Sequence, residues 1–458
     1  MRCFVDAAEY AVAIVPVTRE GLDQWLDKAT GPQARWVREH DFEASPARHL
    51  VIPDEDGGIG TVLVAMTDHA RTYTLGDLPR ALPKGTVCHL EGHFETGPAN
   101  ALALGWALGC YRFDRYRKDE SETPKLISPA TATMDRVIAM AEAIHLGRDL
   151  INTPAEDMGP AELTGAVADL GDRFGADVRL LEGNELLEHN YPAIHAVGRA
   201  SHREPRLADL VWGDPGAPKV TLVGKGVVFD SGGLDLKPAA GMKMMKKDMG
   251  GAASAITLAS MIMALNLPVR LRLLIPAVEN SVAGNAYRPL DVITTRSGLT
   301  IEIGNTDAEG RVILCDALAE AVTEKPDLLV DMATLTGAAR VALGPDVPVF
   351  FSNDDDLATA IHEAAERTED DVWRLPLWPG YRKMLDSDVA DLSTTGSGPG
   401  AGAITAALFL ERFVRDSISW AHFDIMGWNL NGKPGRPKGG EVMAVRALLD
   451  MIERRFGS

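Results

Sequence analysis

VTLVGKGVV (residues 220–228) is the first of five apolar runs that together decide the fold class. It is followed by AASAITLASMIMAL (252–265), VRLRLLIPAV (269–278), VILCDALAEAV (312–322) and DLLVDMATL (327–335). Short runs rich in Val, Ile and Leu alternate here with longer runs that suit helices. This order predicts an α/β domain in which a mostly parallel sheet is covered by helices.

The length of the chain indicates two domains, because 458 residues exceed the usual size of one hydrophobic core. The segment 116–133 is polar and contains two prolines, which favours an exposed connection between domains. We therefore predict a smaller N-terminal α/β domain over residues 1–130 and a larger C-terminal α/β domain over residues 131–458. MDRVIAMAEAIHLGRDLIN (134–152) predicts a long amphipathic helix that leads into the larger domain.

Composition and charge exclude several classes of protein. Hydrophobic residues make up 46% of the chain and charged residues 24%, as in an ordinary globular protein. A formal net charge of −19 would repel phosphate backbones and argues against nucleic acid as a partner.

Neither the amino-terminal stretch nor the longest uncharged run suggests export or a membrane. MRCFVDAAEYAVAIVP has one basic residue and an apolar stretch broken by two acidic residues, unlike a secretory signal. The uncharged run 249–269 contains Gly, Ser, Thr and Pro, which favours a buried helix over a membrane span. We expect a cytoplasmic protein with no membrane partner.

Two blocks of sequence concentrate charged residues where strands should end. They are VGKGVVFDSGGLDLKPAAGMKMMKKDMGG (223–251) and NTDAEGR (305–311). If the second block is extended, its alternate residues point the same way. Ligands of such sheets bind beyond the carboxyl ends of the strands. The two blocks bring seven charged side chains to that edge: Lys225, Asp230, Lys237, Asp248, Asp307, Glu309 and Arg311.

Four carboxylates in one place would be strongly unfavourable without compensation, since like charges and desolvation both penalise the anions. A pair of divalent ions about 3.5–4 Å apart resolves that conflict and forms a recurring hydrolytic device. Taken singly, Asp230 and Asp307 are common turn or cap residues. Lys225 and Lys237 taken singly suit a solvated surface, and GKG is only a weak phosphate-binding pattern. The residues alone therefore support a carboxylate metal site without requiring one.

Both blocks, with their spacing, resemble the signature of the leucyl aminopeptidase (cytosol aminopeptidase) family, metallopeptidase family M17. The resemblance extends from RDLINTPAEDMGPAEL (148–163) to WAHFDIMG (420–427), and the first domain matches only loosely. It implies a metal-dependent exopeptidase that hydrolyses the N-terminal residue of peptides, preferably an apolar residue such as Leu or Met, through a water activated by two metals. The larger domain would be catalytic, and the smaller one would serve oligomerisation or access.

The resemblance also implies the metal ligands. One ion would be held by Asp230, Asp307 and Glu309, with the main-chain carbonyl of Asp307. A second ion would be held by Lys225, Asp230, Asp248 and Glu309, and Lys225 would ligate as the neutral amine. The ligand set suits Zn²⁺ or Mn²⁺, with Mg²⁺ and Co²⁺ as alternatives.

Further roles follow from the same resemblance. Lys237 would stabilise the oxyanion of the transition state, and Arg311 would hold a bicarbonate ion that acts as general base. The substrate would contact four further residues: Met245, Thr334, Leu335 and Gly337. The family forms homohexamers, which we expect here as well.

Two other functions stay open on the residues alone. A two-metal phosphoesterase would use Lys237 and Arg311 to clamp phosphate, and a non-enzymatic scaffold could retain the fold. The acidic charge and the complete ligand set argue against the scaffold.

Overall fold

The computed structural model describes residues 1–45, 47–118, 122–414 and 417–457. Contacts divide the chain into two compact units: Met1–His145 with Asn431–Lys438, and Leu146–Leu430 with Gly439–Ser458. The predicted boundary lay between residues 130 and 131. Within the described residues, no helix is both long and apolar enough to cross a membrane.

The first unit is built around a six-stranded sheet in the order β1-β6-β5-β2-β4-β3, in which only β3 and β4 pair antiparallel. Its strands are β1 (Phe4–Val5), β2 (Val12–Val17), β3 (His49–Pro53), β4 (Ile59–Ala65), β5 (Val87–Leu90) and β6 (Lys125–Ile127). Its helices are α1 (Arg19–Lys28), α2 (Gly31–Glu39), α3 (Leu78–Ala81) and α4 (Thr96–Gly109). Helix α5 (Met134–Asn152) crosses the division between the units and has the predicted bounds.

The predicted connection at 116–133 is not entirely exposed. Residues 119–121 lie outside the described residues, but β6 pairs with β1 and β5 inside the sheet. Leu126 of this strand is fully buried. The sequence did not reveal this strand, because three residues are too few to show an alternating pattern. The polar residues and two prolines around it favoured a loop instead.

The second unit contains a nine-stranded mixed sheet in the order β16-β15-β18-β14-β9-β11-β8-β7, with β10 also paired to β11. Its strands are β7 (Asp177–Glu182), β8 (Arg206–Trp212), β9 (Lys219–Gly224), β10 (Gly226–Asp230), β11 (Arg270–Asn280), β14 (Leu328–Ala333), β15 (Val349–Ser352), β16 (Trp373–Arg374) and β18 (Trp420–Asp424). The central pairs are parallel, and three pairs are antiparallel: β15 with β18, β8 with β11 and β7 with β8. The predicted mostly parallel sheet is confirmed.

Small sheets and helices complete the unit. The short strands are β12 (Val292–Thr294), β13 (Thr300–Glu302), β17 (Leu392–Ser393), β19 (Trp428–Asn429) and β20 (Gly439–Gly440). The helices are α6 (Pro160–Phe174), α7 (Glu185–Glu188), α8 (Pro192–Gly198), α9 (Ala239–Met242), α10 (Gly250–Ala264), α11 (Glu309–Ala321), α12 (Gly337–Leu343), α13 (Asp355–Thr368), α14 (Gly402–Glu411) and α15 (Val445–Phe456). Short 3₁₀ turns cover Met245–Met249, Thr306–Ala308, Val322–Glu324 and Pro379–Leu385.

The five apolar runs lie at the centre of this unit, where most of their side chains are buried. Residues 220–228 form β9 and β10, and the uncharged run forms the buried helix α10. A large apolar cluster contains side chains of β9, β14, α8, α11 and α14. Burial on this scale is the main stabilising contribution to such a core.

Candidate metal centre

The predicted charged residues gather where β10 and β14 end. Lys225 occupies the one-residue break between β9 and β10, and Asp230 is the last residue of β10. Asp248 lies on the 3₁₀ turn before α10, Asp307 lies on the turn before α11, and Glu309 begins α11. Carboxyl ends of strands and amino ends of helices therefore supply every predicted ligand, as expected for an α/β sheet.

Three of the carboxylates lie close enough to share one cation. Oxygen atoms of Asp230, Asp307 and Glu309 all lie within 4.8 Å of one another. Lys225 Nζ lies 2.8 Å from Asp248 Oδ2 and 2.8 Å from Glu309 Oε1, so it connects the fourth carboxylate to this group. All five predicted ligands thus belong to one cluster.

Lys237 belongs to the same cluster. Its Nζ lies 2.7 Å from Asp230 Oδ2 and forms a second ion pair with Asp307. The side chain of Lys237 is 14% exposed, and that of Asp307 is 34% exposed, whereas Asp230 is almost completely buried. Lys237 therefore occupies the open side of the cluster.

The conformation of NTDAEGR differs from the extended segment that would have aligned its alternate side chains. Thr306–Ala308 is a 3₁₀ turn and α11 begins at Glu309. Asn305 produces this turn, because its side-chain oxygen accepts a hydrogen bond of 2.7 Å from the Asp307 amide. The condition for alignment of alternate side chains is therefore not met, although the charged side chains still converge.

A glycine allows the close approach of Lys225 to helix α11. A Cβ atom on Gly310 would lie 2.5 Å from Lys225 Cε. That lysine side chain cannot move aside freely, because it also donates a hydrogen bond of 3.0 Å to the Thr334 carbonyl. The residue between Glu309 and Arg311 must therefore lack a side chain.

Asn280 was not predicted from the sequence, yet it joins the two charged blocks. Its Nδ2 donates to Asp230 Oδ1 at 2.9 Å and to the Thr306 carbonyl at 3.0 Å. Tyr287 donates a second hydrogen bond of 2.5 Å to the same carbonyl. The sequence did contain a signal for Asn280, because this residue ends an apolar strand, just as Asp230 does.

Asp424 is a second residue that the sequence did not suggest. At the end of β18 it accepts hydrogen bonds from the amides of Leu335 (3.0 Å) and Thr336 (3.1 Å) and from the Thr336 hydroxyl (2.6 Å). The carboxylate thereby holds the loop that follows β14. On the other side of that loop, the Thr334 hydroxyl donates to Asp248 Oδ1 at 2.8 Å.

The electrostatics of the cluster reflect its burial. Burial raises the pKa of Asp230 to about 6, and the charge of Asp248 acts in the same direction. Burial and the charge of Asp230 raise the pKa of Glu309 well above its usual range. Burial alone would lower the pKa of Lys225, but the surrounding carboxylates outweigh it and raise that pKa.

Arg311 lies beside the cluster in a dry environment. Its Nη1 donates to the Thr394 carbonyl at 2.7 Å, whereas its Nε has no hydrogen-bond partner among the described residues. Burial lowers the pKa of Arg311 to about 10.

One cavity of about 420 Å³ is lined by every residue predicted for the site. They are Lys225, Asp230, Lys237, Met245, Asp248, Asp307, Glu309, Arg311, Thr334, Leu335 and Gly337. The volume falls within the range typical of small-molecule sites. Lys247 and Arg340 line the same cavity and were not predicted. Burial lowers the pKa of Lys247 to about 8.

Comparison with known proteins identifies the family. The model of the cytosol aminopeptidase family catalytic domain matches residues 145–449, and that of the M17 aminopeptidase N-terminal domain matches residues 12–129. A probable cytosol aminopeptidase of Chlorobium luteolum is 42% identical, covering 96% of each chain.

Solved structures agree with this match. The cytosol aminopeptidase of Coxiella burnetii is 49% identical, with a TM-score of 0.95 over 99% of each chain. The bottromycin maturation enzyme BotP, solved in complex with Mn, is 35% identical, with a TM-score of 0.87 over 97% of this chain and 99% of BotP. These matches decide against the phosphoesterase and scaffold alternatives. The chain therefore belongs to the cytosol aminopeptidase family, M17, and is a metal-dependent peptidase that removes residues from the amino end of peptides.

Proposed function

We propose that this chain holds two divalent ions in the carboxylate cluster and uses them to hydrolyse the N-terminal residue of peptides. The observation that carries the proposal is the convergence of Asp230, Asp307 and Glu309, whose oxygen atoms lie within 4.8 Å of one another. We assign these three residues to one ion, and Lys225, Asp230, Asp248 and Glu309 to the other.

The chemistry of the cluster fits divalent ions. Glu309 Oε2 is buried and accepts no hydrogen bond from the residues that the structure describes. An unpaired buried carboxylate oxygen is costly, and a cation would compensate it. Oxygen ligands with one amine suit Zn²⁺ or Mn²⁺, with Mg²⁺ and Co²⁺ as alternatives, and the Mn in BotP supports manganese. Lys225 would release its proton on ligating the ion.

The ions would polarise the scissile carbonyl and lower the pKa of the attacking water. Lys237 would stabilise the negative charge that develops on the carbonyl oxygen, because its ammonium group lies at the open side of the cluster. Such a donor typically contributes about 3–4 kcal/mol to transition-state stabilisation. Arg311 Nε, which has no partner among the described residues, would donate to a bicarbonate ion that serves as general base.

The peptide would bind along the loop that follows β14. The α-amino group would bind beside Lys225 and Asp248, which would restrict cleavage to the terminal residue. Thr334, Leu335 and Gly337 would hold the peptide through the backbone of this loop. Met245 would contact the first side chain, and its adaptable thioether would favour Leu or Met there.

The remaining assignments rest on the family. We propose that the chain acts in the cytoplasm as a homohexamer, and that the first unit serves assembly or access to the site. The names of the relatives as cytosol aminopeptidases support the compartment.

The test is the hydrolysis of leucine p-nitroanilide, measured together with metal content, in the purified protein and in two variants. Asp307→Ala should lose metal and activity together, because a ligand is removed. Lys237→Ala should keep its metal but lose about 10²–10³-fold in kcat, the effect expected for an oxyanion donor. Exposed Asp386→Ala and Lys243→Ala serve as matched controls. Full activity in both site variants would refute the assignments.

A further inference from the structure

Two cations of the cavity wall take no part in the carboxylate cluster. Lys247 is 1% exposed and lines the cavity, as does Arg340. Neither side chain makes a hydrogen bond or an ion pair with any residue that the structure describes. By contrast, Lys225 and Lys237 each contact two carboxylates.

The neighbouring Lys246, by contrast, has partners within the protein. Lys246 donates from Nζ to the Asn152 carbonyl at 2.5 Å and lies over the Trp428 ring at 5.4 Å. Lys246 does not line the cavity, whereas Lys247, on the same 3₁₀ turn, does. Two adjacent lysines thus have opposite environments, one satisfied by the protein and one facing the cavity.

The charges of Asp248 and Asp424 act on Lys247 without contacting its ammonium group. A buried ammonium group with no direct partner is unfavourable, and an anionic ligand would compensate it. Arg340 contributes a second positive charge next to the proposed peptide-binding loop. Its Nη2 lies 3.7 Å from the position that a Cβ atom on Gly337 would occupy. The wall formed by Lys247 and Arg340 therefore attracts an anionic group of the substrate.

The proposed function, on which this inference rests, indicates which part of the substrate lies nearest to Lys247. Lys247 immediately precedes Asp248, where the α-amino group would bind, and both lie on the turn Met245–Met249. In a peptide, the first side chain leaves the carbon atom next to that amino group. The first side chain is thus the group that this turn can reach.

We propose that Lys247 and Arg340 select a carboxylate on the first side chain, so that peptides beginning with Glu or Asp are cleaved in preference to those beginning with Gln or Asn. Met245 lines the same cavity, so apolar first residues remain substrates. The two cations discriminate among polar residues by charge. They also disfavour Lys and Arg at the first position.

The test compares kcat/KM for Glu-Ala-Ala and Gln-Ala-Ala, which differ in charge but hardly in shape. The unaltered protein should prefer Glu by about tenfold or more, the size expected of one hydrogen bond between charged groups. Lys247→Met should bring the ratio close to one, and Lys247→Arg should preserve the preference. Lys246→Met is the matched control and should keep the ratio of the unaltered protein.

The ratio is measured within each protein, so a general loss of folded enzyme cancels. Arg340→Met provides a second variant, and calorimetric binding of free L-glutamate against L-glutamine provides a measurement that does not depend on turnover. A ratio near one in the unaltered protein would overturn the proposal, as would an unchanged ratio in both methionine variants of the two cations.

Two further peptides separate the remaining outcomes. If Leu-Ala-Ala is not hydrolysed, the proposed function itself fails. If Leu-Ala is preferred to its C-terminal amide and Lys247→Met removes that preference, the cations face the carboxyl end of the substrate, and the selection of acidic first residues is wrong.

Discussion

At the scale of single residues, the site depends on groups that hold the charged side chains in place. Asn280 donates to Asp230 and to the turn that carries Asp307, so one amide group sets the separation of two proposed ligands. Partners of this kind orient metal ligands and affect metal affinity strongly. The geometry of the cluster is thus shared between charged and neutral residues.

Gly310→Ala should separate activity from stability. The added methyl group would collide with Lys225, which three partners hold in place, while Ala is better than Gly in helix α11 by about 0.5–1 kcal/mol. We expect kcat/KM for leucine p-nitroanilide to fall by about 100-fold, a loss that misplacement by about 1 Å can cause. The midpoint of thermal unfolding should change by only a few degrees, because the helix gain and the cost of overpacking, about 1–3 kcal/mol, oppose each other.

The matched control for this substitution is Gly165→Ala in helix α6, where a Cβ atom would meet nothing within 4 Å. It should keep full activity. Equal activity of the Gly310 and Gly165 variants would show that Lys225 can move without loss.

At the scale of elements, a buried ion pair joins the two central strands β14 and β18. Asp331 and His422 are paired in register, and His422 Nδ1 lies 2.5 Å from Asp331 Oδ1. Trp420 donates a further hydrogen bond of 2.7 Å to the same carboxylate. Asp424 at the end of β18 then holds the loop after β14, so the pairing of these strands positions the proposed peptide-binding loop.

This pair predicts a dependence of stability on pH. Burial alone would lower the pKa of His422, but Asp331 outweighs it and raises that pKa above the ordinary 6.5. The folded state then binds a proton more tightly than the unfolded state. The stabilisation is complete below pH 6.5 and is lost as the pH rises through the pKa of the folded state.

Thermal unfolding midpoints between pH 5.5 and 9 would measure this effect in the unaltered protein and in His422→Gln, which cannot titrate. The unaltered protein should lose its advantage over the variant as the pH rises above 6.5. A constant difference across this range would contradict the prediction. Other groups around His422, namely Asp424 and Arg311, are present in both proteins and therefore cancel in the comparison.

At the scale of the whole molecule, we predict a homohexamer by family resemblance. Light scattering coupled to size-exclusion chromatography should give a mass near six times the chain mass of 49.2 kDa. A mass of one or two chains at micromolar concentration would exclude this assembly. The same samples, treated with a chelator and then with Mn²⁺ or Zn²⁺, would report whether assembly depends on the metal.

The seven charged residues could be singled out from the sequence because charged residues are rare in apolar surroundings, whereas their roles and the four substrate-contacting residues came from the family resemblance and stay predictions. All eleven predicted residues line one cavity. The sequence did not predict Asn280, Asp424, Lys247 or Arg340. Each belongs to a residue type that is common on protein surfaces, and its role depends on which strand, loop or turn lies beside it.

Sequence by itself determined the α/β class, the helices α5, α10 and α11 and the strand regions of β9, β10, β11 and β14, because apolar periodicity is a local property that burial enforces along each segment. Only the tertiary structure decided the order of strands in the nine-stranded sheet and the different environments of Lys246 and Lys247. These features depend on contacts between segments far apart in the chain, and no local pattern encodes which neighbour a strand or a side chain will meet.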